Sequence, residues 1–321
     1  MLAFLVLLGG CGGSESEQRV IRLGHGLDPS HPVHKAMEFM AKRLREKSDE
    51  RLRMEIYPSE QLGSERECLE LLQIGSLGMT KVSSAVMEGF SPLYKVYGLP
   101  YLFESEKHRF DVLRGSIGKR ILKSSTDDWL RGMGYYDAGS RSFYTQDTPV
   151  RTPEDLEGLK IRVMESPIAI RTVNMLGASA TPISWGELYT SLQQGVVDGA
   201  ENNAPSFHLS NHYEVTGYYS LDEHAALPDV LLMSTHLWND LSEQEKTWVE
   251  EAVRESTEYQ RKLWDEATQK AMRAVKEAGI KVIRPDKEPF REAVQPLYEQ
   301  IQQESPKVYE LAQQVREEAA S

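Results

Sequence analysis

Cysteine is almost missing. Cys11 and Cys68 are the only two in 321 residues, and if Cys11 belongs to a processed N-terminal segment, the single thiol left cannot close an internal disulfide. Positive charge is also short: 37 Lys and Arg against 49 Asp and Glu leave a net charge of −12 at pH 7. That balance offers no broad basic field for nucleic acid, so any anionic ligand must be held by local charge. Long apolar runs do not carry the chain through a membrane either, because the opening run Met1 to Leu8 is too short to span a bilayer. Several catalytic signatures are incomplete. Pro29 stands where Gly24-His25-Gly26 would need the third glycine of a dinucleotide fingerprint. Gly139-Ser140-Arg141 lacks the flanks of a serine nucleophile elbow. His208 and His212 are spaced to share a helix face, but Leu209 stands where a zinc protease carries its glutamate, so a satisfied or exposed helical pair is expected. Cys68 follows helical spacing in Ser64 to Leu72 and reads as a small buried hydrophobe. No cofactor or metal is expected. What remains is a globular composition, 40% hydrophobic with 23 glycines, in a length that suits about two domains of ~150 residues.

The first residues carry an export pattern. Met1 to Leu8 has the length of the apolar core of a secretory signal, without the positively charged start, as if the natural start lay upstream. Leu8-Gly9-Gly10-Cys11 is similar to the lipobox of bacterial lipoproteins, in which the cysteine is acylated and becomes the mature N-terminus. On that reading, acyl chains on Cys11 hold the protein at a membrane surface and Gly12 to Gln18 is a flexible tether. The alternative is an ordinary thiol behind a frayed terminus.

From Arg19 the pattern alternates between strand and helix. Arg19 to His25 and Leu52 to Tyr57 alternate as strands, while Ala36, Met37, Met40, Ala41 and Leu44 fall on one helical face. Leu62 to Ile74 is helical by period, Met79 to Val82 a short strand, and Leu99 to Phe103 a buried apolar turn. This alternation implies largely parallel sheet with covered faces. A second α/β unit follows: Thr152-Pro153-Glu154-Asp155 starts a short helix, Lys160 to Val163 is a strand, and Ser184-Trp185-Gly186-Glu187 reads as a capping box for a helix through Leu192. Ser242 to Glu245 is another capping box, opening an amphipathic helix toward Ala278 that is long enough to pack on both halves. Ile280 to Ile283 reads as a last strand and Phe290 to Ala320 as apolar-periodic helix.

Polar and cationic residues gather at strand ends and loops, where open α/β sheets place ligands. Arg162 sits between apolar Ile161 and Val163 with Ser166-Pro167 just beyond. Its planar guanidinium can hold a carboxylate by two parallel hydrogen bonds, or it can pair with one of the chain's own acids. Arg141 has the same two readings. The run Gln194 to Asn203 ends a helix at Gly195, makes a short strand and delivers amides at its far end. Amide side chains both donate and accept, as recognition of hydroxyls and carboxylates requires; for Asn203 a turn-forming role is the alternative.

These segments together resemble the extracytoplasmic solute-binding proteins of tripartite ATP-independent periplasmic (TRAP) transporters, the DctP-like family. The resemblance rests on Tyr57 to Gly63, Leu99 to Phe103, Gly158 to Val163, Gly177 to Pro182 and Gln194 to Asn202, and covers nearly the whole chain after the signal. It implies an α/β, two-domain periplasmic-binding-protein-like fold, with a long helix spanning both domains and a ligand cleft between them. The implied division is 1–18 for signal and tether, 19–138 with 227–265 for the first domain, and 139–226 with 266–321 for the second. The family's carboxylate-binding arginine falls on Arg162, its second basic contact on Arg141, its asparagine on Asn202 and its aromatic on Trp185. The resemblance also implies pocket roles for His31, Glu65, Lys81, Ser83, Met164 and Glu165, with Asn203 beside Asn202. Members that bind hexuronates such as glucuronate or galacturonate are the most similar. The implied function is capture of a carboxylate-containing solute without turnover and its delivery to a membrane permease, outside the cytoplasm. The alternatives are a TRAP binding protein for another organic acid, a ligand-sensing partner of a receptor, or a sugar-acid enzyme using His31 with Glu65 or Glu165 as acid and base.

Overall fold

In the computed structural model, which describes residues 18–319, strand β1 (Arg19–Gly24) buries Ile21 and Leu23 and exposes Arg22 between them. Helix α1 (Pro32–Lys47) starts at the N-cap His31, with Pro32 in the first turn, where its missing N–H leaves nothing unsatisfied. It packs Val33, Ala36, Met37, Met40 and Leu44 inward. Strand β2 (Leu52–Tyr57), helix α2 (Glu65–Gln73) and strand β3 (Met79–Ser83) complete a parallel unit ordered β2-β1-β3. Helix α2 begins later than the periodicity from Leu62 implies, because Ser64 and Glu67 close a reciprocal capping box there. Short helices α3 (Lys95–Gly98), α4 (Glu106–Arg114) and α5 (Ser116–Lys123) lead to strand β4 (Leu130–Tyr136).

The chain then crosses to a second lobe. There it forms β5 (Arg141–Thr145), β6 (Lys160–Val163), α6 (Pro167–Met175), β7 (Ser179–Pro182), α7 (Leu188–Gln193), β8 (Gly199–Asn202), α8 (Ala204–Leu209) and β9 (Tyr218–Ala225). It returns as β10 (Asp229–Ser234), which lies between β3 and β4 and antiparallel to both. Helices α9 (Thr235–Asp240) and α10 (Glu243–Glu277), strand β11 (Lys281–Ile283) and helices α11 (Glu288–Glu304) and α12 (Pro306–Ala319) follow. The sheets are ordered β2-β1-β3-β10-β4 and β11-β9-β5-β8-β6-β7. They are mixed rather than largely parallel, since the strands that carry the chain between lobes pair antiparallel, β4 with β10 and β5 with β9.

Helix α10 bridges the lobes as its length implies. Its 35 residues extend about 50 Å at 1.5 Å per residue. Val249, Ala252 and Val253 pack into the first lobe's core, and Ala271 and Val275 into the second's. Gln260, midway, is bonded to the first crossing segment: its Oε1 accepts from Asp137 N–H (2.9 Å) and its Nε2 donates to Asp137 O (2.8 Å). Asp137 Oδ1 in turn accepts from Arg109 and from Gly139 N–H.

Four local expectations are corrected. Phe290 to Ala320 is not one helix: Pro306 interrupts it, because proline disfavours helical backbone at the residue before it and has no N–H to bond backward. Helix α11 starts on the second lobe through Phe290 and Val294 and ends on the first through Leu297 and Ile301, while α12 packs its Val308, Leu311 and Val315 into the first-lobe core. Grouping 266–321 with the second half therefore does not describe where α12 sits. Ser184 does not cap a helix; its hydroxyl bonds Glu187 in a turn, and α7 begins at Leu188. His208 and His212 do not share a helix face, since left-handed Asn211 (φ 57) ends α8 between them.

Cys68 is buried against Gly63, with burial pushing its thiol up to about 11. Cys11 lies outside the described residues. No helix among the described residues is long and apolar enough to cross a membrane.

Candidate functional site

Sheet topology brings the cleft-facing residues together. Strands β1 and β3 end, and β10 begins, at the edge of the first sheet that faces the second lobe; β6 and β8 end, and β5 begins, at the opposing edge. Between them lies a cavity whose wall includes all eleven residues expected from the sequence: His31, Glu65, Lys81, Ser83, Arg141, Met164, Glu165, Arg162, Trp185, Asn202 and Asn203. They do different work.

Arg162 is buried on β6. Its Nε donates to Ile183 O (2.8 Å), its Nη1 is buried without a partner, and no carboxylate among the described residues pairs with it. Burial lowers its pKa from the ordinary value because nothing compensates the charge fully. The indole of Trp185 lies 5.8 Å from the guanidinium carbon. Arg141 is the opposite case. Its guanidinium is paired with the Glu201 carboxylate, bonded again to Glu201 O (2.8 Å), and donates Nη1 to Asn202 Oδ1 (2.8 Å). Of the two readings open for Arg141, its pairing within the protein is the one formed. Burial would raise the Glu201 carboxyl, but Arg141 and His224 hold it down at about 2.

Asn202 Oδ1 also accepts from the N–H and the side chain of Asn203. That leaves the Asn202 Nδ2 hydrogens as its contribution to the cavity, on the amide orientation these bonds assign. Asn203 is the N-cap of α8, its Oδ1 accepting from Ser206 N–H (2.8 Å). The turn-forming alternative thus describes its side chain, although it still lines the wall.

On the first lobe, Lys81 Nζ reaches Glu65 (2.9 Å) and Asp229 (3.4 Å), and Glu65 accepts from Ser83 N–H (3.0 Å). Lys81 and Ser83 sit two residues apart on β3 and share its cleft side. Burial opposes the lysine's charge, but the two acids outweigh it and raise its pKa; for Asp229, burial and then the neighbouring Glu65 outweigh Lys81 and Arg141 and push it up to about 6. His31 Nδ1 accepts from Val33 N–H (3.3 Å), which assigns the ring proton to Nε2, and that atom lies 3.3 Å from Ser206 Oγ across the cleft. Burial and then Lys81 drive the His31 pKa down to about 3, so it is a neutral donor. Met164 is buried beside Arg162, whereas Glu165 is exposed at the rim, 3.9 Å from Arg66.

Sequence reasoning missed Glu60, Asp229, Ser206 and Trp264 on the same wall. Asp229 reaches Lys81 only through the antiparallel register that sets it opposite Ser83, and Trp264 reads as one more core position of a long helix. Among the described residues no group of three or more His, Cys, Asp or Glu is arranged to hold a metal ion. The lobes touch at His31 and Ser206, and again where Ile168 N–H donates to Glu88 (3.1 Å). The cleft is closed, and a ligand held in it would be buried by both lobes.

Residues 23–305 match the family described as bacterial extracellular solute-binding protein, family 7 (DctP). The chain is 40% identical over 277 residues to the uncharacterized protein YiiZ of Salmonella typhimurium, covering 86% of this chain and 84% of that one. It is similar in structure to a TRAP periplasmic solute-binding protein from Chromohalobacter salexigens with bound D-glucuronate, with a TM-score of 0.91 and 35% identity, covering 93% of this chain and 99% of that one. A second, from Xanthobacter autotrophicus with bound β-D-galacturonate, gives a TM-score of 0.89 and 38% identity, covering 92% and 98%.

Proposed function

The chain belongs to bacterial extracellular solute-binding protein family 7, the DctP family, and from that membership we propose that it captures a hexuronate, D-glucuronate or D-galacturonate, for delivery to a TRAP membrane permease. It binds without turnover. The observation that carries the reading is Arg162, a buried guanidinium with an unpaired Nη1 at the cavity wall. A buried charge without a partner is costly, and a ligand carboxylate is the group that offsets it while being oriented by it. Around that anchor, His31 Nε2, Lys81 and Asn202 Nδ2 offer donors, Glu65 and Asp229 offer acceptors, and Trp185 and Trp264 offer apolar faces, a set suited to a ring bearing several hydroxyls. Ser83, Met164, Glu165 and Asn203 complete the wall, and Arg141 acts by holding Asn202 in place. The glucuronate and galacturonate held by the two similar structures support a six-carbon acid.

Contacts to both lobes make the ligand bind the closed form more tightly than the open one, which shifts the balance toward closure. The closed form is the one a permease would recognise, and acylation at Cys11 would keep it close to the membrane. Thermal denaturation of the protein, freed of ligand and then mixed with D-glucuronate, D-galacturonate, D-glucose or D-galactose, tests the reading. At ~100 times its dissociation constant a uronate adds about 2.7 kcal/mol of stability, and the neutral sugars add none. Equal stabilisation by D-glucose, or none by either uronate, would overturn it.

A further inference from the structure

Glu60 lies in a slot between two glycines of opposite lobes. The turn that carries it places Ser59 and Glu60 at φ 53 and 57, left-handed backbone that non-glycine residues adopt at a cost. Ser59 N–H donates to Leu27 O (3.1 Å) and Glu60 N–H to His25 O (3.1 Å), which ties the turn to the cleft edge. On its own lobe, a Cβ added at Gly26 would meet Glu60 Cγ at 3.2 Å and Oε1 at 3.3 Å. On the other lobe, a Cβ added at Gly186 would collide with Glu60 Oε2. In each case the three nearest atoms all belong to Glu60, so a side chain at either position would press on its carboxyl end.

The two oxygens of that group are used differently. Oε2 accepts from Gly186 N–H (3.2 Å), a bond that exists only when the lobes are together. Oε1 is buried, lies on a residue of the cavity wall and accepts no hydrogen bond. A buried acceptor without a donor is costly. A hydroxyl supplies the missing donor; a second carboxylate would add like charge instead.

We propose that Glu60 couples recognition to closure, Oε1 accepting a hydrogen bond from a ligand hydroxyl while Oε2 catches Gly186 of the opposite lobe. It thereby selects polyhydroxylated monoacids against simple dicarboxylates. The inference rests on the sugar-acid reading above and extends it to a residue outside the set expected from the sequence.

Titration calorimetry of D-glucuronate, D-galacturonate and succinate against the wild-type protein, Glu60→Ala, Gly186→Ala and the double variant tests it, with circular dichroism to verify folding. Glu60→Ala weakens D-glucuronate by roughly tenfold or more, the scale of a hydrogen bond to a charged group, and narrows the preference over succinate. Gly186→Ala weakens it in the wild-type background but by less than about twofold when Glu60 is already alanine, because the atoms it would displace are gone. Gly186 is exposed and its φ lies outside the left-handed region, so alanine there leaves folding intact. Affinity within about twofold of wild type in Glu60→Ala, or an equal Gly186→Ala penalty in both backgrounds, overturns the assignment and leaves the sugar-acid reading standing. Failure of the wild-type protein to bind either uronate overturns that reading and the assignment with it.

Discussion

Replacing Arg162 and replacing Arg141 should have opposite consequences, although both guanidiniums are buried on one cavity wall. Arg162 has one bond from Nε to a carbonyl, an unpaired Nη1 and no acid partner among the described residues. Arg162→Met keeps most of the side-chain volume and removes a charge that the empty protein does not compensate, so folding stability is not reduced. Binding suffers instead. A carboxylate entering the same place would be buried without its partner, a loss of about 3–5 kcal/mol, which at about 1.4 kcal/mol per decade weakens a uronate by roughly two to four decades. Arg141→Met breaks the pair with Glu201, whose carboxylate is buried at 2% exposure. His224, 3.6 Å from Glu201, keeps part of the compensation but does not replace the direct bonds, so folding loses about 1.5–3 kcal/mol, the scale of a hydrogen bond to a charged group. Urea unfolding followed by tryptophan fluorescence, together with calorimetry using D-glucuronate, separates the two. An Arg162→Met protein destabilised as much as Arg141→Met, or one that still binds D-glucuronate with unchanged affinity, would refute this reasoning.

His224 should make the protein lose stability in mild alkali. Burial lowers its affinity for a proton, but Asp222 at 2.7 Å and then Glu201 outweigh that and raise the pKa to about 9. A folded value above the unfolded ~6.5 means the stabilisation is complete below about pH 6.5 and is lost as pH rises through about 9. The urea midpoint falls across that window in the wild-type protein and falls less in His224→Asn; identical slopes would exclude His224 as the cause. Gln260→Leu leaves the N–H and carbonyl of Asp137 unbonded inside the protein, at a cost of about 2–4 kcal/mol for two buried polar groups. A loss under about 1 kcal/mol in chemical denaturation would mean that water or a neighbour replaces the pin.

The elements legible in the sequence are those specified locally. The capping box at Ser242 and the strand alternation from Arg19 to His25 are written in neighbouring residues, whereas the box at Ser64, which sets the start of α2, is not read from the period. The long helix was legible for the same reason. The eleven cavity residues were reachable because strand ends in an α/β protein converge, and because the family motifs fix which residue sits at each end. What each residue does there was not legible. Arg141 and Arg162 look alike in sequence, and only the antiparallel pairing of β5 with β8 places Glu201 and Asn202 within reach of the first. Glu60 reads as a turn residue between Pro58 and Gly63; its partner Gly186 lies 126 residues away on the other lobe. Asp229 depends likewise on the register of β10 against β3. The helix pattern through His208 and His212 ignored left-handed Asn211, and that from Phe290 onward ignored Pro306, where backbone geometry overrides apolar period.

A crystal structure of the protein with D-glucuronate decides the matter of what the cleft holds and how. The carboxylate should lie within about 3 Å of Arg162 Nη1, with the ring hydroxyls facing Glu60, Lys81 and Asp229 on the first lobe. A ligand whose carboxylate sits elsewhere in the cleft, with Arg162 Nη1 still unpaired, would contradict the account.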